Sequence, residues 1–306
     1  MYSLYKNVQL DNGQRVGTGW LPPLPNMQDY TKEHEEIIPF ISKLGLADME
    51  QKLPSKIDLR QWCSPIENQL KLGSCSAHAG IALVEYFEKK VNNKFIEGSH
   101  LFLYKTTRNL MQIAGDSGAW LRNVMSALVL FGVPNEKYWP YSTDGIHVNP
   151  NWDSEPSAFL YALANNYQAI KYFCHDPQGK NINTSDLLLT VKQYLASGIP
   201  SMFGFWGFPS YNLTDIIGGI PYPGPKEFAQ WGHAITTFGY DDDIKITNTK
   251  YNIQTTGALL IRNSWGTNWG DKGYGWLPYN YVLNKLACDF WSLLSMEWID
   301  SGQFGI

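Results

Sequence analysis

The sequence predicts an α+β protein of two lobes behind an N-terminal extension. Helix-period stretches concentrate between residues 74 and 196, and short alternating runs broken by Gly, Asn and Asp follow Pro200. Residues 1–53 match neither style. Helices first and strands second, rather than the two alternating, argue against a doubly wound parallel sheet. A chain of 306 residues is long enough for about two domains. The expected division is an extension at 1–53, a mainly helical lobe at 54–175 and a mainly β lobe at 176–306.

Taken in chain order, GTGWLPPLPNMQDY (17–30) is proline-rich and aromatic and is expected to run extended. Lys32 to Leu46 carries Ile37, Ile38, Phe40 and Ile41 and predicts a short amphipathic helix interrupted by Pro39. Trp20, Tyr30 and Phe40 have no use in a solvated tail, so this region is expected to cross a larger body. The clearest helix is Ser74 to Asn92, with Cys75, Ala79, Ala82, Leu83 and Tyr86 on one face and Ser74 as candidate cap. Ala119–Phe131 and Ser185–Ala196 predict two more helices, each closed by Gly and Pro. His233–Tyr240 and Ala258–Ile261 predict strands.

Composition excludes several classes of function. The net charge is −4, so nothing attracts nucleic acid or an anionic membrane. An apolar content of 44% supports large cores and rules out global disorder. No apolar run is long enough for a membrane span, and MYSLYKNVQLDNG lacks the charged and apolar regions of a secretory signal. Four cysteines (Cys63, Cys75, Cys174, Cys288) are too few for a disulfide scaffold. A cytoplasmic setting is expected, and the glycosylation triplets at Asn183 and Asn212 are set aside with it. No zinc-ligand spacing or phosphate loop occurs, so no metal or organic cofactor is expected.

The chemistry-bearing residues begin with Cys75, at the start of the best helix. The helix terminus favours thiolate over thiol, although a buried cysteine filling a small hole fits the same position. A thiolate nucleophile needs a base. Among His34, His78, His100, His147, His175 and His233, only His233 opens a strand that could face a helix N-terminus. Asn263, in IRNSWGTNWGDKGYGW, could accept a histidine N–H and fix its tautomer, with Trp265 excluding water. Gln69 lies six residues before Cys75. Its amide and the Cys75 backbone N–H could form an oxyanion hole.

These segments resemble the papain-like cysteine peptidases. ENQLKLGSCSAHA (67–79) is similar to that family's Gln…Gly-Ser-Cys segment, GHAITTFGY (232–240) to its histidine strand, and NSWGTNWGDKGYG (263–275) to its asparagine segment. Their order is also the family's. Weaker likeness in PSKIDLR (54–60) and GDSGAW…FGV…YWPY (115–141) extends the resemblance over about residues 54–280. GTGWLPPLPNMQDY resembles the N-terminal segment of bacterial xylellain-like members.

The resemblance implies a papain-like fold, with a cleft between a helical lobe and a β-barrel-like lobe. It implies Cys75 as nucleophile, His233 as base and acid, Asn263 as its orienter and Gln69 as oxyanion donor. Gly73 and Ser74 would border the pocket, Gly118 would line the wall that pairs with substrate backbone, and Gly232 precedes the histidine. Trp265 and Trp269 would shield Asn263 and floor the leaving-group side. The expected partner is a peptide or protein substrate, with the N-terminal segment as an intramolecular inhibitor or a brace between the lobes.

The sequence departs from the family pattern in several places. Leu72 stands where the family has a cysteine, with Asp116 or Ser117 in its partner's place. Ser76 replaces a tryptophan, and Ala119 replaces the second wall glycine. The thirty residues between His233 and Asn263 imply a long hairpin around Asp241–Thr256. An acyltransferase of the same fold and a non-catalytic binding module are the alternative readings. The first would be told apart by its products, the second by loss of one of Gln69, Cys75, His233 or Asn263.

Overall fold

The structure is a computed structural model. It describes residues 7–26, 29–43, 45–46, 53–143, 151–165, 169–296 and 299–300, with backbone alone at 169–170, 295–296 and 299–300. His147 lies outside the described residues.

The chain begins with a hairpin of β1 (Asn7–Gln9) and β2 (Arg15–Gly17). Helix α1 (Ile38–Lys43) follows, and Pro39 sits in its first turn, where a missing N–H costs nothing. The predicted interruption at Pro39 is therefore a helix start. Strand β3 (Lys56–Asp58) leads into α2 (Cys75–Asn92), which buries every residue from Cys75 to Glu88. Such a helix sits inside the protein rather than on it. It ends where Asn93 turns left-handed, with φ 54°.

Helix α3 (His100–Leu110) is capped by the Ser99 hydroxyl, which accepts from the Phe102 amide at 3.3 Å. Helices α4 (Leu121–Leu130) and α5 (Ala158–Ala164) complete the helical region. Strand β4 (Ala169–Cys174) precedes α6 (Thr184–Ala196), whose N-cap is the Asn183 side chain. Then come β5 (Ser201–Gly207), β6 (Trp231–Asn248), β7 (Ile253–Arg262) and β8 (Tyr274–Pro278). A short α7 (Tyr279–Leu283), β9 (Ala287–Met296) and β10 (Ile299–Asp300) close the chain.

The eight-stranded sheet runs β10-β9-β5-β6-β7-β8, with β3 added to β6 and β4 to β9. All its pairings are antiparallel. β6 and β7 form the long hairpin expected around Asp241–Thr256. One core lies between α2, α4 and the sheet and includes Trp20, Leu83, Phe87, Met125 and Trp291. A second, inside the β region, packs Leu187, Val191 and Leu195 of α6 against Phe203, Ile235 and Leu259. The N-terminus of α2 meets the start of β6 between these two cores, and the predicted site falls there.

Candidate active site

Cys75 is the first residue of α2 and is fully buried. Ala234, the residue after His233, donates its amide to Cys75 Sγ at 3.4 Å. The amides of Gly19 and Ser76 also donate toward the sulfur. Ser74 occupies the N-cap, but its side chain does not cap the helix. Its hydroxyl turns to the Tyr141 hydroxyl at 2.8 Å and toward His78, contrary to the capping role expected. Burial opposes the thiolate that the helix terminus favours. Burial is the largest influence on the thiol and pushes it up to about 12, against the pull of three amides.

His233 Nε2 and Asn263 Oδ1 are 2.8 Å apart. The same Oδ1 accepts the Ser264 amide at 2.8 Å, so it faces donors on both sides and Nε2 must carry the proton. The neutral ring therefore keeps its lone pair on Nδ1, which is buried without a hydrogen-bond partner. Trp265 stacks on the ring, with centroids 4.5 Å apart and planes at 28°. Burial pushes the imidazole down to about 3, against the Asn263 hydrogen bond. Burial thus favours the neutral thiol of Cys75 and the neutral imidazole of His233 in this arrangement.

Gln69 is fully buried. The Ser264 hydroxyl donates to its Oε1 at 2.5 Å, which turns the NH₂ toward the cleft. That group donates to Leu72 O at 2.8 Å and to Gly17 O at 3.0 Å.

Residues 17–21 fill the cleft. Trp265 Nε1 also donates to Gly17 O, at 3.3 Å. Gly19 O accepts from Ala119 N at 2.8 Å, Ala119 O accepts from Leu21 N at 3.2 Å, and Trp20 N donates to Gly232 O at 3.3 Å. Trp20 and Ala119 thereby form a parallel bridge. Glycine is required at two of these positions by close approach. A Cβ on Gly17 would lie 2.0 Å from Leu72 O, and one on Gly19 would lie 2.0 Å from Gly73 O.

The remaining sequence candidates fall around this segment. Gly118 lines the wall at φ 74°, where a Cβ would meet Gly19 O at 2.2 Å. Its own amide is taken by the Tyr104 hydroxyl, and Ala119 supplies the groups that pair with the segment. Gly73 faces Thr18 O, Gly232 faces Trp20, and Trp269 stands edge-on to Trp265. His78 stacks on His100 at 4.2 Å and contacts Ser74 O, His175 contacts the Ser292 hydroxyl, and His34 lies beside Tyr30. Each is accounted for by local packing.

Two side chains to which the sequence reading gave no role organise the site. Ser264 orients Gln69, as described above. Asp116 accepts from Gly73 N at 2.9 Å and from the Tyr104 hydroxyl at 2.6 Å. It therefore ties the nucleophile's loop to the wall where the family pattern has a cysteine pair. All four cysteines are unpaired thiols. Among the described residues, no cluster of His, Cys, Asp and Glu could hold a metal ion, and no helix is long and apolar enough to cross a membrane.

Comparison with known proteins bears on this arrangement. Residues 53–289 match the model of the papain family cysteine proteases. An uncharacterized peptidase C1-like protein of Acanthamoeba polyphaga mimivirus is 32% identical over 240 residues, covering 77% of this chain and 71% of that protein. Peptidase 1 of Psoroptes ovis is 29% identical over 232 residues, covering 73% of this chain and 60% of that one. Among solved structures, xylellain, a cysteine protease from Xylella fastidiosa, superposes with a TM-score of 0.70 at 29% identity. That likeness covers 91% of this chain and 96% of xylellain.

Proposed function

The chain belongs to the papain family of cysteine proteases, and on that premise we propose that Cys75, His233, Asn263 and Gln69 hydrolyse peptide bonds through a thioester, held latent by residues 17–21. The observation that carries this reading is the segment's position. Its Gly19 amide lies at the sulfur, and its Gly17 carbonyl occupies the Gln69 NH₂ that an oxyanion would need.

The segment's direction supports inhibition rather than turnover. In a substrate, the acyl side lies along the wall at Ala119 and the amine leaves toward Trp265. Residues 17–21 run from Trp265 to Ala119, the reverse sense. An N–H, not a carbonyl carbon, then faces the sulfur, so the thiol has nothing to attack.

Removing the segment readmits water and lifts the burial that keeps both groups neutral. The helix terminus then favours the thiolate, and Nδ1 of His233 takes the thiol proton while Nε2–H stays on Asn263. The thiolate attacks the peptide carbonyl, and the oxyanion is held by Gln69 and the Cys75 N–H. One such donor contributes about 2.7–4 kcal/mol to the transition state. The imidazolium protonates the leaving amine, and as base it then activates the water that cleaves the thioester.

The test is peptide turnover in ¹⁸O-water by the full chain carrying Gly17→Ala and Gly19→Ala. One ¹⁸O in the new carboxyl group, absent with Cys75→Ala or His233→Ala added, is expected. Products joined to an amine instead of water would refute hydrolysis in favour of acyl transfer.

A further inference from the structure

The N-terminal segment is anchored in two separate ways, and the second builds a pocket that no step above uses. Residues 18–21 are held by backbone pairing and by the buried Trp20. The hairpin of β1 and β2 is held by apolar burial instead. Its Val8, Leu10 and Val16 are buried in the core inside the β region. The Tyr211 hydroxyl donates to Gln9 O at 3.0 Å, Asn212 Nδ2 donates to Asp11 Oδ1, and Gln14 Nε2 donates to Asn68 Oδ1 at 3.4 Å. Leu10 N closes the turn on Gln14 O at 2.8 Å, with Gly13 at φ 82°. None of these contacts involves residues 18–21, so undocking of those residues leaves them in place.

The docked hairpin walls a pocket of about 210 Å³. Asp11 and Asn12 of its turn stand on one side, and Tyr211, Asn212, Asn268 and Trp269 of the body on the other. The two rings connect this pocket to the cleft. Tyr211 and Trp269 both stand edge-on to Trp265, at 6.4 and 5.8 Å, and Trp265 stacks on His233. The pocket therefore lies on the side toward which the amine leaves. Among the described residues lining it, Asp11 alone is charged. A carboxylate beside two aromatic rings and three amide side chains suits a guanidinium, which stacks on a ring and donates in its own plane. An ammonium meets the charge but not the stacking.

We propose that the hairpin is a permanent part of the working enzyme rather than of its inhibitor. It stays docked when residues 18–21 leave, and its Asp11, with Tyr211 and Trp269, holds an Arg side chain of the substrate on the leaving side of the scissile bond. Lys is the weaker occupant, and Glu is repelled by Asp11. One N-terminal segment then has two opposed roles, with residues 18–21 excluding substrate and residues 7–16 recognising it. This proposal rests on the peptidase reading and deepens it.

The experiment uses the full chain carrying Gly19→Ala, whose methyl would lie 2.0 Å from Gly73 O and so undocks residues 18–21 with the hairpin sequence intact. Amide hydrogen exchange should rise at least about tenfold at residues 18–21 and less than about threefold at 8–16. Equal acceleration of both overturns the proposal, because the hairpin then leaves with the segment. Internally quenched peptides with Arg, Lys, Ala or Glu at each of the first three leaving-side positions are compared by kcat/KM. At one position Arg is expected to exceed Ala by roughly threefold to tenfold, the size of a partly exposed ion pair stacked on a ring, with Glu below Ala. Adding Asp11→Asn should bring Arg down to the level of Ala. A flat profile, or an Arg preference that Asp11→Asn leaves intact, overturns the proposal while the peptidase reading stands. If no peptide is cleaved, the peptidase reading falls instead, and the pocket is read by NMR. Acetyl-Ala-Arg-Ala-amide should shift the Trp269 indole N–H signal in the Gly19→Ala chain and not in the chain that adds Asp11→Asn. No shift in the first, or the same shift in both, overturns the pocket's role.

Discussion

The two ends of the Gly17–Trp20 stretch are held by different physics. At the Gly17 end the protein grips backbone. One carbonyl takes two N–H donors, from the Gln69 and Trp265 side chains, and no side chain of the stretch itself is gripped. At the Trp20 end it grips a side chain, buried to 2% and anchored on Asp289. The first end occupies the groups that the proposed reaction needs, and the second fills a side-chain pocket beside the cleft. The difference teaches that affinity and blockade are separable. Trp20 is the segment's buried side-chain anchor, while Gly17 and Gly19 cover the candidate reacting atoms.

Perturbing the stretch at its two glycines should give the largest effect. Gly17→Ala with Gly19→Ala puts two methyl groups 2.0 Å from backbone carbonyl oxygens, which can be relieved only by undocking. Peptide turnover by the full chain is expected to rise by roughly 10³-fold or more, at least matching loss of the Trp20 anchor. Trp20→Ala comes next. Truncating a buried Trp costs about 3–5 kcal/mol, or roughly 10²–10³-fold in the docking equilibrium. The check is hydrogen exchange at residues 17–21.

Gln69→Ala sharpens the contrast, because it should act with two signs. It loosens the Gly17 end by about tenfold, the value of one buried hydrogen bond, and lowers kcat of the opened enzyme by about 10²–10³. Exchange and kcat measured on the same variant would separate these. Trp20→Ala should change only the first.

The smallest expected effect is on pH dependence. Burial pushes His100, His175 and His233 down to about 3, so their stabilising neutrality is present above pH 6.5 and lost as pH falls from there toward 3. Burial pushes Glu67, Glu85, Glu88 and Glu136 up to about 7 and Asp176 up to about 8. Each holds a proton that the unfolded chain has lost, so stability falls as pH rises from 4.5 through those values. The two trends meet on the acid side of neutrality. Tm is expected to be higher near pH 5.5 than at pH 8 or pH 3.5, as scanning calorimetry would show.

Much of this arrangement was legible in the sequence, and the illegible parts share a cause. Cys75, His233, Asn263 and Gln69 stand out because their segments resemble a known family's, and α2 through a long apolar period. Helix α3 did not, because its buried face includes Lys105 and Arg108. These are paired with Asp153 and Glu155 from a distant loop, and no periodicity rule scores a cation as core. Trp20 could be read as needing a burial site, but not which one, since its partner Asp289 lies 269 positions away. The aim of Asp289 depends on a one-residue bulge, which leaves no mark in composition. The protonation of Cys75 was read from its helix terminus alone. The burial that reverses it comes from a segment folded back from residue 19.

The most direct test of latency is the rate at which a thiol-directed epoxysuccinyl peptide labels Cys75, followed by intact mass. The native full chain is compared with Gly17→Ala/Gly19→Ala, with Cys75→Ala as the blank for each. Slow labelling of the native chain, and a single adduct forming at least about 10²-fold faster in the variant, is expected if residues 17–21 cover the site. Equal rates in the two folded chains would contradict it and leave the segment as a brace between the lobes.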